Sequence, residues 1–96
     1  MTNSAGMCYA SALNLVKSGN VMRRKDWAAS EFVFLVPGST FTVSRQPLLG
    51  IFAEGTQIVY RSHIDKRNSD GTIGVWTPSN EDQLADDWVM VPKSEI

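Results

Sequence analysis

The chain has 96 residues, and nine basic against ten acidic side chains give a formal net charge of -1. This length is typical of one small domain, so we expect residues 1–96 to form a single folding unit. The near-zero charge provides no positive field to hold a long nucleic-acid backbone. No apolar run is long enough to span a membrane, and no basic segment precedes the first apolar residues, which argues against a secretory signal.

Size and cysteine content set two further expectations. A domain of this length has a thin stability margin, and self-association is a common remedy. The one cysteine in the sequence, Cys8, has no partner for an internal disulfide and fits a reducing compartment. We therefore expect a cytoplasmic protein that forms an oligomer.

The first predicted element is an amphipathic helix over about residues 5–18. Tyr9, Leu13 and Val16 lie at i, i+4 and i+7, which is the spacing of one helical face. We expect this helix to be the longest, because the remainder of the chain changes to a β pattern.

The segments after the helix predict strands. In EFVFLVPG (31–38) both alternating sets of side chains are apolar, as expected of a strand covered on both faces or lying in an oligomer interface. STFTVSR (39–45) predicts a second short strand, and QPLLGIFAEGT (46–56) predicts a connection with an apolar middle.

A longer strand and a hairpin follow. QIVYRSHID (57–65) alternates over its whole length, so one face is expected in the core and the other in solvent or at a site. KRNSDG supplies turn residues and TIGVW (72–76) a returning strand. Together they predict a hairpin with residues 66–71 at its tip.

The C-terminal segment predicts a second helix and a last strand. Ser79 followed by Asp82 resembles a capping box, with Asp in place of Glu or Gln, at the start of a helix of about two turns. WVMV then predicts a strand over residues 88–91, followed by a frayed tail at 92–96. The sequence thus predicts an α+β domain with an N-terminal helix, a mainly antiparallel β-sheet and a short second helix before the last strand.

The side chains give no strong signal for an enzyme. One cysteine and one histidine without ligand-like spacing argue against a metal site, and no Gly-rich phosphate loop is present. A nucleophilic triad needs His63 beside an activated serine or cysteine, whereas a strand histidine paired with Asp65 or Arg61 is the simpler interpretation. We predict no catalytic residues, no metal and no cofactor. Capping and solvent exposure explain the acidic residues Glu81, Asp82, Asp86 and Asp87.

Binding of a small nucleotide-like molecule fits the residues better. A base stacks on a tryptophan face, and arginines fork onto phosphates. The same residues also have structural interpretations: Trp76 and Trp88 lie in predicted strands and suit the core, whereas Trp27 suits core or pocket equally. Asn80 also suits an ordinary helix start. The candidates are Trp27, Trp76, Trp88, Arg23, Arg24, Arg45, Arg61 and Asn80.

Several short motifs occur in a characteristic order along the chain. They are Arg-x-x-Trp after the first helix (Arg24 to Trp27), the strand end LVPGS, the pieces PLLG and EGT, the hairpin DGT and the closing D-x-x-A-x-DW. Each is short, but together they cover about residues 8–91. In order and spacing they resemble the phage and prophage Thoeris anti-defence family, second type.

The resemblance implies a non-catalytic sponge. Members bind glycocyclic ADP-ribose, a messenger made by the TIR-domain sensor of a bacterial defence system, and hold it without cleavage so that the effector stays inactive. Some members also capture cyclic oligonucleotides of another defence system, CBASS, at a separate pocket. Members form homotetramers with pockets assembled between subunits, in the cytoplasm of the infected or lysogenic bacterium.

The same resemblance, carried over residue by residue, implies a ligand site. Trp27 is expected to stack on the base, with Arg24 beside it as a phosphate or positioning contact. Asn80 and Asp82 are expected to contact ribose hydroxyls or the base edge. The pocket is completed by Trp76, Thr77 and, as an additional candidate, Arg61.

Two positions depart from the family pattern. Asp26 and Ala28 flank Trp27, where members commonly carry Gly and Asn, and a carboxylate there repels phosphate unless it points away. The basic run MRRK offsets that charge. Two other functions remain open: an enzyme that degrades the nucleotide through His63, Asp65 and the acidic cluster, and a protein-interaction module that blocks a host factor through exposed aromatic residues.

Overall fold

The fold of the chain, seen in a computed structural model, is described for residues 6–96. It is α+β as predicted, with an N-terminal helix, antiparallel strands and a short second helix before the last strand. In chain order the elements are α1 (Tyr9–Lys17), β1 (Val21–Arg24), β2 (Phe32–Val36), β3 (Ser39–Thr42), a 3-10 turn (Leu48–Gly50), β4 (Gln57–Tyr60), β5 (His63–Arg67), β6 (Ile73–Val75), α2 (Asn80–Leu84), β7 (Trp88–Val91) and a second 3-10 turn (Lys93–Glu95).

Five strands form one antiparallel sheet in the order β6-β5-β2-β1-β7, and β3 and β4 form a separate two-stranded sheet. α1 packs on one face of the larger sheet. The side chains between them exclude water almost completely, which makes this the main core. Trp88 is 0% exposed, so its predicted place in the core is confirmed. The buried residues of this core are Ala12, Val16, Met22, Val33 and Trp88.

The first helix is shorter than the predicted span of residues 5–18. Residue 5 lies outside the described part of the chain, and α1 begins at Tyr9. The chain is extended before it, because the N–H and carbonyl of Met7 pair with the backbone of Trp88 at 2.8 and 3.1 Å. No helix within residues 6–96 is long and apolar enough to cross a membrane.

The predicted continuous strand over residues 57–65 is wrong, because the chain bends after Tyr60. Arg61 and Ser62 separate β4 from β5, and these two strands belong to different sheets. Gly38 fixes the bend: its N–H donates to the Ser62 hydroxyl at 3.0 Å, and a side chain at this position would clash with the Tyr60 carbonyl. The alternating pattern therefore continues through two strands that serve different surfaces.

The predicted hairpin between β5 and β6 is confirmed, although its tip is displaced from residues 66–71. Lys66 and Arg67 still pair with β6, because polar side chains at these positions do not prevent backbone pairing. The turn begins at Asn68, whose N–H donates to the Thr72 carbonyl at 2.8 Å.

The face of the larger sheet opposite α1, called the second face below, carries apolar side chains. Val21, Phe32 and Val91 form a small buried cluster there, and it contains no residue of an α-helix. Ile73 and Val75 extend the apolar surface to the β6 edge and are 57% and 75% exposed. The second face is therefore only partly covered in a single described chain.

Residues 37–62 form an arm that extends from the larger sheet. Within it Thr40 lies opposite Val59, and the rings of Phe41 and Tyr60 are 5.2 Å apart. With the arm the described chain measures 57 × 28 × 26 Å. Val59 is 72% exposed. An isolated two-stranded sheet is marginally stable in water, so a partner surface would stabilise this arm.

Candidate ligand-binding site

Four aromatic rings from distant parts of the chain pack together beside α1. We call them the aromatic cluster: Tyr9, Trp27, Trp76 and Trp88. The ring centroid of Trp88 lies 5.3 Å from that of Trp27 and 5.9 Å from that of Trp76, and both pairs are nearly perpendicular. Edge-to-face packing is the arrangement that the ring quadrupoles favour. Two predicted site residues, Trp27 and Trp76, are thereby brought to 6.4 Å from each other.

α2 begins with the predicted capping box. The Asp82 N–H donates to the Ser79 hydroxyl at 3.0 Å, and the Ser79 N–H donates to Asp82 Oδ2 at 3.0 Å. Asn80–Leu84 is a five-residue helix. The indole N–H of Trp88 donates to the Asp82 carbonyl at 2.9 Å, which attaches this short helix to the aromatic cluster.

Arg24 joins β1 to the segment around α2. Its Nη1 donates to Asp82 Oδ1 at 3.2 Å, its Nε to Asp87 Oδ1 at 2.9 Å and its Nη2 to Asp87 Oδ2 at 3.4 Å. One guanidinium therefore lies between two carboxylates. A ligand phosphate placed here would meet more negative than positive charge, so the geometry favours a positioning role for Arg24 over a phosphate contact.

The same contacts set the protonation of Asp82. Burial alone raises the pKa of its carboxyl, but hydrogen bonds from the N–H and hydroxyl of Ser79 and from Arg24 outweigh this effect. The pKa of Asp82 therefore lies below its ordinary value. Hydrogen bonding to Asp87 in turn raises the pKa of Arg24. Asp82 and Arg24 are therefore both charged at neutral pH.

Trp27 lies in the loop between β1 and β2, which hydrogen bonds hold in place. Its N–H donates to the Arg24 carbonyl at 3.1 Å, and Arg23 Nη1 donates to the Trp27 carbonyl at 3.0 Å. Further along the loop, Glu31 Oε1 accepts the Ala28 N–H at 3.2 Å. The indole of Trp27 is half-buried against the core, in line with the core interpretation, and its place in a ligand pocket stays a prediction.

Lys66, which the sequence did not single out, lies over the ring of Trp27. Its Nζ is 4.4 Å from the ring centroid and 3.1 Å from Glu31 Oε2. A cation at this distance is attracted by the indole face. In β5 Lys66 lies opposite Val33, on the sheet face that α1 covers. The alternation of side chains along β5 places Lys66 on the same face as Ile64. Its contacts with Trp27 and Glu31 in the loop before β2 could not be predicted from any local pattern.

The remaining predicted site residues fall in two places. Asn80 is the exposed first residue of α2, and the exposed Thr77 directly follows Trp76 in the chain. Arg61 is exposed in the bend between β4 and β5. Within residues 6–96 no side-chain hydrogen bond, salt bridge or ring contact joins Arg61 to the cluster.

His63 and Asp65 lie apart from the acidic residues near α2. His63 Nε2 is 3.4 Å from Asp65 Oδ1. The two residues lie opposite Val36 and Phe34 of β2, on the second face, whereas Asp82 contacts β1 from the α1 side. The groups of the alternative enzyme interpretation are thus on different surfaces. Among the described residues there is no group of three or more side chains that could hold a metal ion.

Two cavities of the described chain lie away from the aromatic cluster. One, of about 330 Å³, is lined by residues 41–48 of the arm. The other, of about 420 Å³, lies on the second face and is lined in part by Phe34, Ile73, Lys93 and Ile96. Arg45, one of the candidate arginines, lines the first cavity, whereas neither cavity is lined by a residue of the aromatic cluster or by Arg24, Asn80 or Arg61.

Known protein families give information on this chain that is independent of its geometry. Residues 7–91 match the family model described as Tad2-like, Thoeris anti-defense 2-like domain. The match runs from the chain just before α1 to the end of β7, so it includes every residue of the aromatic cluster. No curated protein matches the chain.

Proposed function

Since the chain belongs to the Tad2-like (Thoeris anti-defense 2-like) family, which implies a Thoeris anti-defence role, we propose that it acts as a non-catalytic sponge. It binds a cyclic ADP-ribose-type messenger such as glycocyclic ADP-ribose and releases it unchanged. The free messenger then stays too dilute to activate the defence effector. The protein works in the cytoplasm of the bacterial host.

The observation that carries this proposal is the presentation of Trp27. Its indole is half-buried, packed edge-to-face against Trp88 at 5.3 Å and held in a hydrogen-bonded loop. A ring fixed in this way stacks on a nucleotide base without losing further rotamer freedom. Stacking of this kind favours nucleotides as ligands, and it does not require the protein to react with them.

The polar residues around Trp27 take different parts in this proposal. Both carboxylate oxygens of Asp82 are used by Ser79 and Arg24, so these residues hold α2 in place rather than contact the ligand. Asn80 is exposed at the start of the same helix and supplies donors and an acceptor for ribose hydroxyls or the base edge. Thr77 lines the rim in the same way.

We further propose that the working form is a homotetramer with pockets between subunits. Support comes from two surfaces that a single chain leaves open: the second face, with exposed Ile73 and Val75, and the arm, with exposed Val59. Apolar surfaces of this kind are typical of subunit interfaces. Arg61, at the base of the arm, would then contact a ligand held by a neighbouring subunit.

Sequestration has a simple physical requirement. A sponge lowers the free messenger concentration when its dissociation constant lies below that of the effector and enough copies are present. No transition state has to be stabilised, so no general acid, base or nucleophile is needed beside the ligand. Cyclic oligonucleotides of CBASS defence are a second class of ligand, at a separate pocket.

The test is depletion and recovery of the messenger. The protein, in molar excess, is mixed with glycocyclic ADP-ribose, and the free nucleotide is measured after filtration. Heat then denatures the protein, and chromatography measures what is released. The proposal predicts depletion followed by recovery of intact messenger. A second mixture with substoichiometric protein tests for turnover: complete conversion to a cleaved product there would instead support the enzyme with His63 and Asp65. Absence of depletion in the first mixture would contradict the sponge.

A further inference from the structure

We propose that Lys66 binds a phosphate of the ligand that stacks on Trp27, and that Glu31 is an internal competitor for the same ammonium group. In the free protein the ammonium lies 3.1 Å from Glu31 Oε2 and 4.4 Å from the Trp27 ring centroid. When ligand binds, Lys66 leaves Glu31 and pairs with phosphate. This inference rests on the proposed function of the Trp27 surface.

Charge balance distinguishes Lys66 from Arg24, and backbone hydrogen bonds distinguish it from Arg23. All three guanidinium nitrogens of Arg24 already donate to Asp82 or Asp87. Arg23 uses Nη1 on backbone carbonyls of the loop, including that of Trp27 at 3.0 Å. Among the described residues Lys66 has a single carboxylate partner, so a phosphate at Lys66 meets less negative charge than one at Arg24, which lies between two carboxylates.

The position of the Lys66 ammonium group couples binding of the ligand's base to binding of its phosphate. While Lys66 is paired with Glu31, its Nζ covers one face of the Trp27 indole. Movement of the flexible four-carbon side chain toward a phosphate frees that face for a base. Stacking and phosphate binding are therefore coupled through one side chain, which disfavours ligands that have a base but no phosphate.

Water already weakens the ion pair between Lys66 and Glu31, which must separate when the ligand binds. The side chains of Lys66 and Glu31 are 22% and 21% exposed, so water reaches the ion pair and lowers the cost of separating its charges. Glu31 does not need to move when Lys66 leaves, because its Oε1 remains bonded to the Ala28 N–H at 3.2 Å. The loop that carries Trp27 thus keeps its shape during the exchange.

Two variants separate the partners of this exchange. Lys66→Met keeps the length and apolar stem but removes the charge, so we expect glycocyclic ADP-ribose to bind about tenfold more weakly and with less salt dependence. Glu31→Gln keeps the acceptor for Ala28 but removes the competitor, so binding becomes several-fold tighter. Lys66→Arg is the matched control, which keeps the charge and stays close to wild type.

Calorimetric titration of the full chain at two salt concentrations reads out all four proteins, with circular dichroism to verify that each is folded. If Lys66→Met binds the messenger as tightly as wild type does, the assignment of Lys66 is wrong, while the proposed sponge function is unaffected. Weaker binding by Glu31→Gln overturns the competition. Absence of binding by the folded wild type overturns both this inference and the proposed function. Glu31→Gln gives an independent reading if Lys66→Met does not fold.

Discussion

Arg24 donates to Asp82 through Nη1 at 3.2 Å, so two residues expected to contact a ligand contact each other. The same guanidinium binds Asp87 at 2.9 Å and thereby ties β1 both to α2 and to the segment between α2 and β7. We propose that their effect on a ligand is indirect, because they hold α2, whose first residue, Asn80, is exposed. Substitution at Arg24 is expected to alter the site by displacing α2.

Trp27→Ala is predicted to abolish messenger binding while the chain remains folded. The indole is half-buried, so truncation removes part of its packing and lowers the free energy of unfolding by about 2 kcal/mol, below the cost of a fully buried tryptophan. Calorimetry and chemical denaturation measure the two effects separately.

Trp27→Phe is the matched control for that variant, since it retains a flat ring and most of the binding. Trp88→Ala is the structural contrast, because Trp88 is 0% exposed and its loss should unfold the domain. Normal binding by folded Trp27→Ala would show that the site lies elsewhere.

The features of the fold that have a signal in a short stretch of sequence could be predicted. The capping box of Ser79 and Asp82, the hairpin after β5 and the core position of Trp88 are confirmed, and each had a signal in neighbouring residues of the sequence. The division at Arg61 was missed, since it depends on a hydrogen bond from Gly38, 24 positions before Ser62. The site residues came from family resemblance, and they stay predictions.

The contact between Lys66 and Trp27 illustrates the part that could not be predicted. The two residues are brought together by the pairing of β5 with β2 and by the loop that precedes β2. Neither the strand register nor the shape of this loop has a local sequence signature. From the sequence, Lys66 was expected only to be a polar residue of the predicted turn KRNSDG.

Asp82→Asn is predicted to destabilise the domain in a pH-dependent way. The pKa of Asp82 is depressed in the folded state, so its charged form contributes stability above the unfolded value of about 3.9, and this is lost as pH falls through the folded pKa. We expect Asp82→Asn to lower the free energy of unfolding by about 1 kcal/mol at pH 7, because the cap and the Arg24 bridge weaken.

Urea denaturation at pH 7 and at pH 3 measures this difference, which should narrow at the lower pH. Glu81→Gln is the matched control, because Glu81 is an exposed acidic residue in the first turn of the same helix. An equal loss of stability at both pH values would contradict the role of the charged carboxylate.

Asn80→Ala is predicted to weaken messenger binding by about tenfold without a change in stability. The side chain is exposed, and its loss removes only hydrogen bonds to the ligand. Glu81→Ala, one residue further along α2, should bind normally. His63→Ala should also bind normally, because His63 lies on the second face. Titration of the three proteins measures this, and loss of binding by His63→Ala alone would favour a different site.

Val75→Lys is predicted to disrupt assembly. Val75 is 75% exposed on the second face, and an ammonium buried there at an interface costs its desolvation even with Asp65 opposite it in β5. Size-exclusion chromatography with light scattering should show a smaller species than wild type. Ala10→Lys, on the exposed side of α1, is the control that should keep the wild-type mass. A wild-type mass for Val75→Lys would remove the second face from the proposed interface.

The most direct measurement of the sponge is native mass spectrometry of the wild-type protein after exposure to a panel that contains glycocyclic ADP-ribose, linear ADP-ribose and cyclic oligonucleotides. It reports the bound ligand and the subunit number in one spectrum. The account predicts a tetramer that carries intact glycocyclic ADP-ribose and releases it unchanged on denaturation. A folded protein that carries no cyclic nucleotide, or one that yields a cleaved product, would contradict it.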